Sequence, residues 1–170
     1  ASLLERIEAH VQRQPEASAV ICGDQQLSYL ALEQRANRMA HLLRAQGVGP
    51  EVRVGVALNR SVEMIVTLYA VHKAGGVYVP MDIDYPKDRL QWIVEDSNMA
   101  VLVTLKSLRE RLPVGGQVQV LEIDTLDLFG SGWTKATTNI IFDPLNHENG
   151  IVQFLDALGN VIGTMTFTNI

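Results

Sequence analysis

The sequence has a single cysteine, Cys22, set between Ile21 and Gly23. One thiol excludes an internal disulfide framework and suits a reducing compartment. Cys22 reads as a small apolar strand residue rather than a nucleophile. Basic charge is also scarce: 14 Lys and Arg stand against 19 Asp and Glu, a formal net charge of -5. That balance leaves no cationic excess to neutralise a phosphate backbone, so nucleic-acid binding is not expected. Long apolar runs are missing, which excludes a bilayer-spanning helix. Residues 1–10 alternate Leu and Ile with Glu and Arg, unlike a secretory leader. A cytoplasmic chain with no membrane partner and no nucleic-acid partner is the expectation.

The usual catalytic constellations are lacking as well. There is no Ser-His-Asp set, no Cys-x-x-Cys, no Gly-x-Gly-x-x-Gly and no internal repeat. His10, His41, His72 and His147 are spread over separate segments without metal-ligand spacing, and read as surface or helix-end residues. What the sequence does have is apolar content, 47% of 170 residues, enough to bury a core without disulfides or metal.

Periodicity divides that content into elements. Ser2 and Glu5 form a capping-box pattern ahead of Leu3, Leu4, Ile7 and Val11 on one helical face. Residues 19–22 and 26–29 flank Gly23-Asp24, which predicts a small N-terminal hairpin. Leu32, Ala36, Met39, Leu42 and Leu43 keep a helical period until Gly47. Residues 52–58 then form a β-branched apolar strand, Ser61 caps a helix with Met64, Ile65, Leu68 and Val71 inward, and Gly75-Gly76 ends it before Val77-Tyr78-Val79. A second unit runs from Pro86 through Leu90, Ile93 and Val94 to Val101-Leu102-Val103. A short charged helix over 107–111, a Pro113 and Gly115-Gly116 loop, and a strand over 118–121 follow. The fold class read from this is α/β: a mainly parallel sheet of βαβ units flanked by helices, with right-handed crossovers, the N-terminal hairpin and a C-terminal β-hairpin.

Several ordered motifs carry a family resemblance: Leu27-Ser28-Tyr29, Ala36-Asn37-Arg38, the run His72-Lys73-Ala74-Gly75-Gly76-Val77-Tyr78-Val79-Pro80-Met81-Asp82, Asp84-Tyr85-Pro86, Arg89-Leu90 and Glu95-Asp96-Ser97. The segment resembles the amino-terminal portion of nonribosomal peptide synthetase adenylation domains, over residues 2 to about 128. Ala31 departs from it, standing where the family's Tyr-x-Glu-Leu pattern places a glutamate. The resemblance implies a family that uses ATP and Mg²⁺ to join an amino acid to AMP, with pyrophosphate leaving. It also implies that the groups for that chemistry lie further along the chain than this segment. Lys73-Ala74-Gly75-Gly76 is therefore read as closing a helix rather than touching a ligand.

The tail bears on how much chemistry survives. Residues 1–128 are read as the scaffold and 129–170 as a divergent tail packed on the same domain. Glu148-Asn149-Gly150 stands where the family often has Glu-Asn-Leu, and residues 151–155 are expected to be a strand. In place of a hydroxyl-rich phosphate loop come Asp156-Ala157-Leu158-Gly159-Asn160-Val161-Ile162-Gly163, with Thr164 the nearby hydroxyl and residues 163–168 as the returning strand. The last lysine is Lys135 and the last arginine Arg111. A phosphate cradle needs positive charge, so a plain hairpin turning at Gly159-Asn160 is expected. Asp82, Asp84 and Asp88 around Pro86 read as helix-start residues rather than Mg²⁺ ligands. Phe142-Asp143-Pro144 resembles the Phe-Asp start of the family's substrate-pocket motif but precedes any phosphate loop, and reads as a turn. Trp92 and Trp133 are packing or anchoring residues.

The functional expectation is a partial amino-acid-adenylation domain, inactive alone, with no catalytic or metal residues of its own and no bound cofactor. Its expected partners are the remainder of an adenylating enzyme or another synthetase module. The alternatives are the first part of a split enzyme, a non-catalytic protein-interaction module built on the same scaffold, and residual small-molecule binding at the strand C-terminal ends.

Overall fold

The structure, a computed structural model, describes residues 3–124, 136–137, 139–143, 146–155 and 161–167. Five helices and nine strands occur in these residues: α1 (Leu3–Arg13), β1 (Ser18–Ser28), α2 (Tyr29–Ala45), β2 (Arg53–Val56), α3 (Val62–Lys73), β3 (Val77–Pro80), α4 (Lys87–Ser97), β4 (Val101–Thr104), α5 (Lys106–Arg109), β5 (Gln119–Glu122), β6 (Ala136–Thr137), β7 (Asn139–Asp143), β8 (Asn146–Leu155) and β9 (Val161–Phe167).

Strands β2 to β5 make one parallel sheet in the order β3-β2-β4-β5. The chain leaves β2 for β3 on one side and then crosses back over β2 to reach β4 on the other. Alternation along the strands assigns their two faces. Val54, Val56, Val101, Val103 and Leu121 pack against α1, α2 and α3, while Ala57, Val79 and Leu102 pack against α4 and α5. A parallel strand covered on both sides must be apolar throughout, and β4 is buried at all four positions.

Chain punctuation sets the helix ends. Ser61 Oγ accepts from Met64 N at 3.2 Å, capping α3 as its position ahead of the periodic run predicts. Ser28, expected as a strand residue, does the same for α2, accepting from Ala31 N at 3.1 Å; the helix therefore starts at Tyr29 rather than Leu32. Gly47 and Gly75 adopt φ of 92° and 81°, the left-handed conformation that lets the chain turn out of α2 and α3. Gly76 is required for space. A Cβ there would lie 2.7 Å from Val48 Cγ1 and 3.2 Å from the Val52 carbonyl oxygen.

Both expected hairpins form, each within a larger pairing. The N-terminal hairpin lies within β1: Tyr29 N donates to Ala17 O at 3.0 Å and Leu30 N to Pro15 O at 3.0 Å, so residues 18–28 double back, and the segment also pairs antiparallel with β6 through Ile21↔Thr137 and Gln25↔Ala136. Eleven residues in one extended strand would hold Ala17 and Tyr29 roughly 40 Å apart, so the chain turns between them, as Gly23-Asp24 predicts. The C-terminal hairpin is present as β8 and β9, with Leu155 opposite Val161, but it is one side of a three-stranded antiparallel sheet in the order β7-β8-β9. β8 starts at Asn146, well before residue 151, and β9 starts at Val161. The turn at Gly159-Asn160, the boundary near residue 128, Ser2, Trp133, Pro144 and Asp156 lie outside the described residues.

Gly76→Ala is expected to lower stability by about 1–3 kcal/mol, because the added methyl meets backbone as well as a side chain. Gly115→Ala, whose added methyl has nothing within 4 Å, is the control. Urea midpoints of the two variants test the difference.

Candidate functional site

Open α/β sheets hold ligands outside the C-terminal ends of their strands, where adjacent connections leave in opposite directions. In this sheet that place lies between β2 and β4, because β2 leads to β3 on one side and β4 to β5 on the other. At that point the two strands are joined by the last bonds of their ladder. Thr104 Oγ1 donates to the Ala57 carbonyl oxygen at 2.9 Å, and Ala57 N donates to Val103 O at 2.9 Å. Thr104 and Ala57 are both fully buried.

The charged groups beside this edge are also engaged. Arg109 Nη1 donates to Glu122 Oε2 at 2.7 Å, and Arg111 Nη2 donates to the Ile83 carbonyl oxygen at 2.9 Å, with Asp84 Oδ1 at 3.8 Å. Asp124 Oδ1 accepts from Lys106 N at 2.9 Å at the start of α5. The acidic trio divides by role. Asp82 Oδ1 accepts from Asp84 N at 2.9 Å in a local turn, Asp88 sits in the first turn of α4, and Asp84 is exposed. Among the described residues no three His, Cys, Asp or Glu side chains gather as metal ligands. Arg89 stacks over the Tyr85 ring at 4.2 Å.

Lys73 lies on the opposite edge of the sheet, at the end of α3 just before β3 begins. Its side chain is only 8% exposed and forms an ion pair with Glu33 Oε1 of α2, with Glu8 Oε1 of α1 at 3.5 Å. The ammonium also rests over the Tyr69 ring, 4.8 Å from the centroid. Tyr69 donates its hydroxyl to Glu33 Oε2 at 2.7 Å, and Arg44 Nη2 donates to the Lys73 carbonyl oxygen at 2.7 Å. Burial, then the hydrogen bond to Glu33 and the charges of Glu33 and Glu8, push the Tyr69 hydroxyl far above the ordinary tyrosine range. Lys73 thus joins α3 to α1 and α2. Its partners Glu33 and Tyr69 are absent from the candidates that the sequence suggests; the i, i+4 spacing of Tyr69 and Lys73 is the one local sign of them.

The remaining candidates do not converge. His10 rests on Tyr29 with ring centroids 5.3 Å apart, and its Nδ1 lies 3.1 Å from Arg6 O. His41 is exposed, and His72 falls in the last turn of α3. Cys22 falls within β1, and Asp143 ends β7. Trp92 is 53% exposed on α4. A groove between α4 and the 112–118 loop is lined by Val94, Met99, Leu112 and Val118 with Gln91 and Glu95. It lies at the N-terminal ends of β4 and β5, away from the expected crevice.

Lys73→Met leaves the Glu33 carboxylate without its cation and is expected to cost about 3 kcal/mol. Glu8→Gln is expected to cost under about 1 kcal/mol, because Glu8 is 53% exposed. Chemical denaturation measures both. The raised hydroxyl pKa of Tyr69 also sets a pH dependence. In the unfolded chain tyrosine loses its proton near pH 10, whereas native Tyr69 keeps it, so this contribution to stability is full below about pH 10 and declines above it. Tyr69→Phe should flatten the fall in urea midpoint between about pH 9 and 11 relative to the parent chain.

Comparison with known proteins places this architecture. A family model described as AMP-binding enzyme matches residues 7–148. Gramicidin S synthase 1 of Brevibacillus brevis is 37% identical over 162 residues, 93% of this chain and 14% of that protein. Tyrocidine synthase 3 of Brevibacillus parabrevis is 41% identical over 127 residues, 75% of this chain and 2% of that protein. The chain therefore spans only a small part of the curated relatives it matches. Among solved structures, the nonribosomal peptide synthetase FmoA3 in its alpha-methyl-L-serine-AMP bound form superposes with a TM-score of 0.69 at 26% identity, covering 92% of this chain and 18% of that one. The N-terminal subdomain of Klebsiella oxytoca NpsA shares the fold, with a TM-score of 0.66 at 18% identity, covering 90% and 42%. The family match runs past residue 128 to 148. The chain belongs to the AMP-binding enzyme family, as part of an adenylation domain of the nonribosomal peptide synthetase kind.

Proposed function

We propose that these residues supply framework to an amino-acid-adenylating domain in cytoplasmic peptide synthesis, and that the 170 residues alone do not carry the reaction. The carrying observation is that the described cations beside the point between β2 and β4 are bonded to the chain's own oxygens, Arg109 to Glu122 and Arg111 to Ile83. Phosphoryl chemistry depends on donors and cations aimed at developing charge. Here Arg109 and Arg111 are bonded to protein oxygens and Lys73 is buried on the far edge. These groups do not fit ATP and Mg²⁺, so no step is assigned to either on this chain. The phosphate loop and the amino-acid pocket belong, in this reading, to the remainder of the domain. That remainder, or another synthetase module, is the natural partner.

Similarity to gramicidin and tyrocidine synthases and to an aminoacyl-AMP-bound synthetase supports amino acids as the substrate class. The lone cysteine fits a reducing interior. Among the described residues no helix is long and apolar enough to cross a membrane. An independent interaction module draws little support from the surface, where Val77 and Trp92 are the exposed large apolar side chains among the described residues.

ATP-pyrophosphate exchange with a panel of amino acids tests the proposal. The isolated chain is expected to give no exchange above background, and exchange is expected when a polypeptide carrying the remainder of the domain is added. Exchange by the isolated chain would overturn it.

A further inference from the structure

Among the described residues Trp92 is the largest apolar side chain open to water, 53% exposed in the middle of α4. Its surroundings are specific. Leu90, Ile93, Val94 and Ser97 are the buried residues of that helix, so the outer side carries Asp88, Trp92, Glu95 and Asp96. Asp88 and Asp96 stand one turn to either side of Trp92, and Glu95 three residues beyond it, spacings that put carboxylates beside the indole. Of the basic residues on α4, Arg89 stacks over Tyr85, and Lys87 lines the groove toward the 112–118 loop. That groove, of about 930 Å³, runs along the same helix with Val94, Met99, Leu112 and Val118 in its lining. Gln91 Nε2 donates to Glu95 Oε1 at 3.1 Å, so the groove's polar lining adjoins the carboxylates around Trp92.

An indole among carboxylates attracts a cation, and an apolar groove takes aliphatic side chains. We propose that the outer side of α4 docks a basic amphipathic segment of the synthetase polypeptide, with an arginine over Trp92 and aliphatic side chains in the groove. Charge selects the occupant, because three carboxylates around the indole repel nucleotides and anionic lipid and favour a cationic side chain. One indole and one groove are less surface than a free partner needs. Within one polypeptide they suffice, since linkage holds the local concentration near about 1 mM. The relatives are long enough to hold such a segment, for this chain covers 14% of gramicidin S synthase 1. The inference rests on the framework reading only in naming the synthetase as the source of the segment.

Amide-shift titration of the full chain by nuclear magnetic resonance tests the docking, with a short amphipathic Leu/Arg peptide as probe and its Leu/Glu counterpart as control. The Leu/Arg peptide is expected to shift the Trp92 indole N–H and the amides of residues 91–99 and 112–118 saturably, with a Kd of about 1 mM or tighter, and the Leu/Glu peptide to shift none of them. Trp92→Ala, and separately Asp88→Asn with Asp96→Asn, should each weaken binding about fivefold or more. Glu16→Gln with Glu51→Gln, which removes two exposed carboxylates elsewhere, should leave affinity within about twofold. Absent or scattered shifts, equal response to both peptides, or equal weakening in the two charge variants would overturn the proposal. Dimerisation that Trp92→Ala abolishes would put a second copy on this face and overturn it as well. None of these readouts involves ATP-pyrophosphate exchange, so failure of the docking and failure of the framework reading are separately visible.

Discussion

Burial on both faces of a narrow parallel sheet is the constraint on which this molecule depends. Parallel strands need long crossovers, and the crossovers put helices where water would otherwise reach the strands. Val54, Val56, Val101 and Val103 meet the helices on one side, and Ala57, Val79 and Leu102 meet those on the other. Once both faces are apolar, polar chemistry is left only to the strand ends and the helix ends. The C-terminal ends of β2 and β4 are joined through Thr104 and Ala57, and the helix ends are tied by Ser28, Ser61 and Lys73.

The buried charge follows from the same constraint. α3 is apolar along most of its length because it packs between the sheet and α2, and its buried residues run from Val62 to Val71. Lys73 emerges where that packing ends, beneath α1 and α2. An ammonium with 8% exposure is tolerable only with a carboxylate beside it, and Glu33 supplies one while Tyr69 holds that carboxylate from the other oxygen. The outcome is a helix end fixed from three sides, followed at once by Gly75, which turns the chain, and Gly76, which admits β3 against Val48 and Val52. A motif that looks like ligand chemistry in a linear sequence is here a joint between helices and sheet.

Legibility of the sequence tracked the range of the interactions. The βαβ units from residue 52 to residue 122 were readable because their signals are local: alternating or continuous apolar runs, Ser61 before a helical period, glycines after it. The role of Lys73 as a helix-closing residue was readable for the same reason. Its partners were not, since Glu33 and Glu8 lie on other helices, 40 and 65 positions away in the chain. The reversal in β1 was readable from Gly23-Asp24 between two apolar runs, but its pairing with β6 was not, since that involves residues more than a hundred positions further on. Ser28 reads as part of the preceding strand although its side chain belongs to the following helix.

The division between framework and chemistry has a physical basis. A scaffold needs apolar periodicity and correctly placed stops, which short stretches of chain can encode. A site for a transferring phosphoryl group needs several donors and cations converging on one point, with their own partners kept elsewhere. In this chain the cations beside the crevice are already committed to carboxylates and carbonyl oxygens of the framework, as Arg109 is to Glu122 and Arg111 to Ile83. Freeing them for a nucleotide would expose Glu122 and the turn after β3 to loss of their partners. Both arginines are half exposed, so the framework's hold on each is worth about 1 kcal/mol or less, and the donors of the reaction belong, in the reading proposed above, to the remainder of the domain.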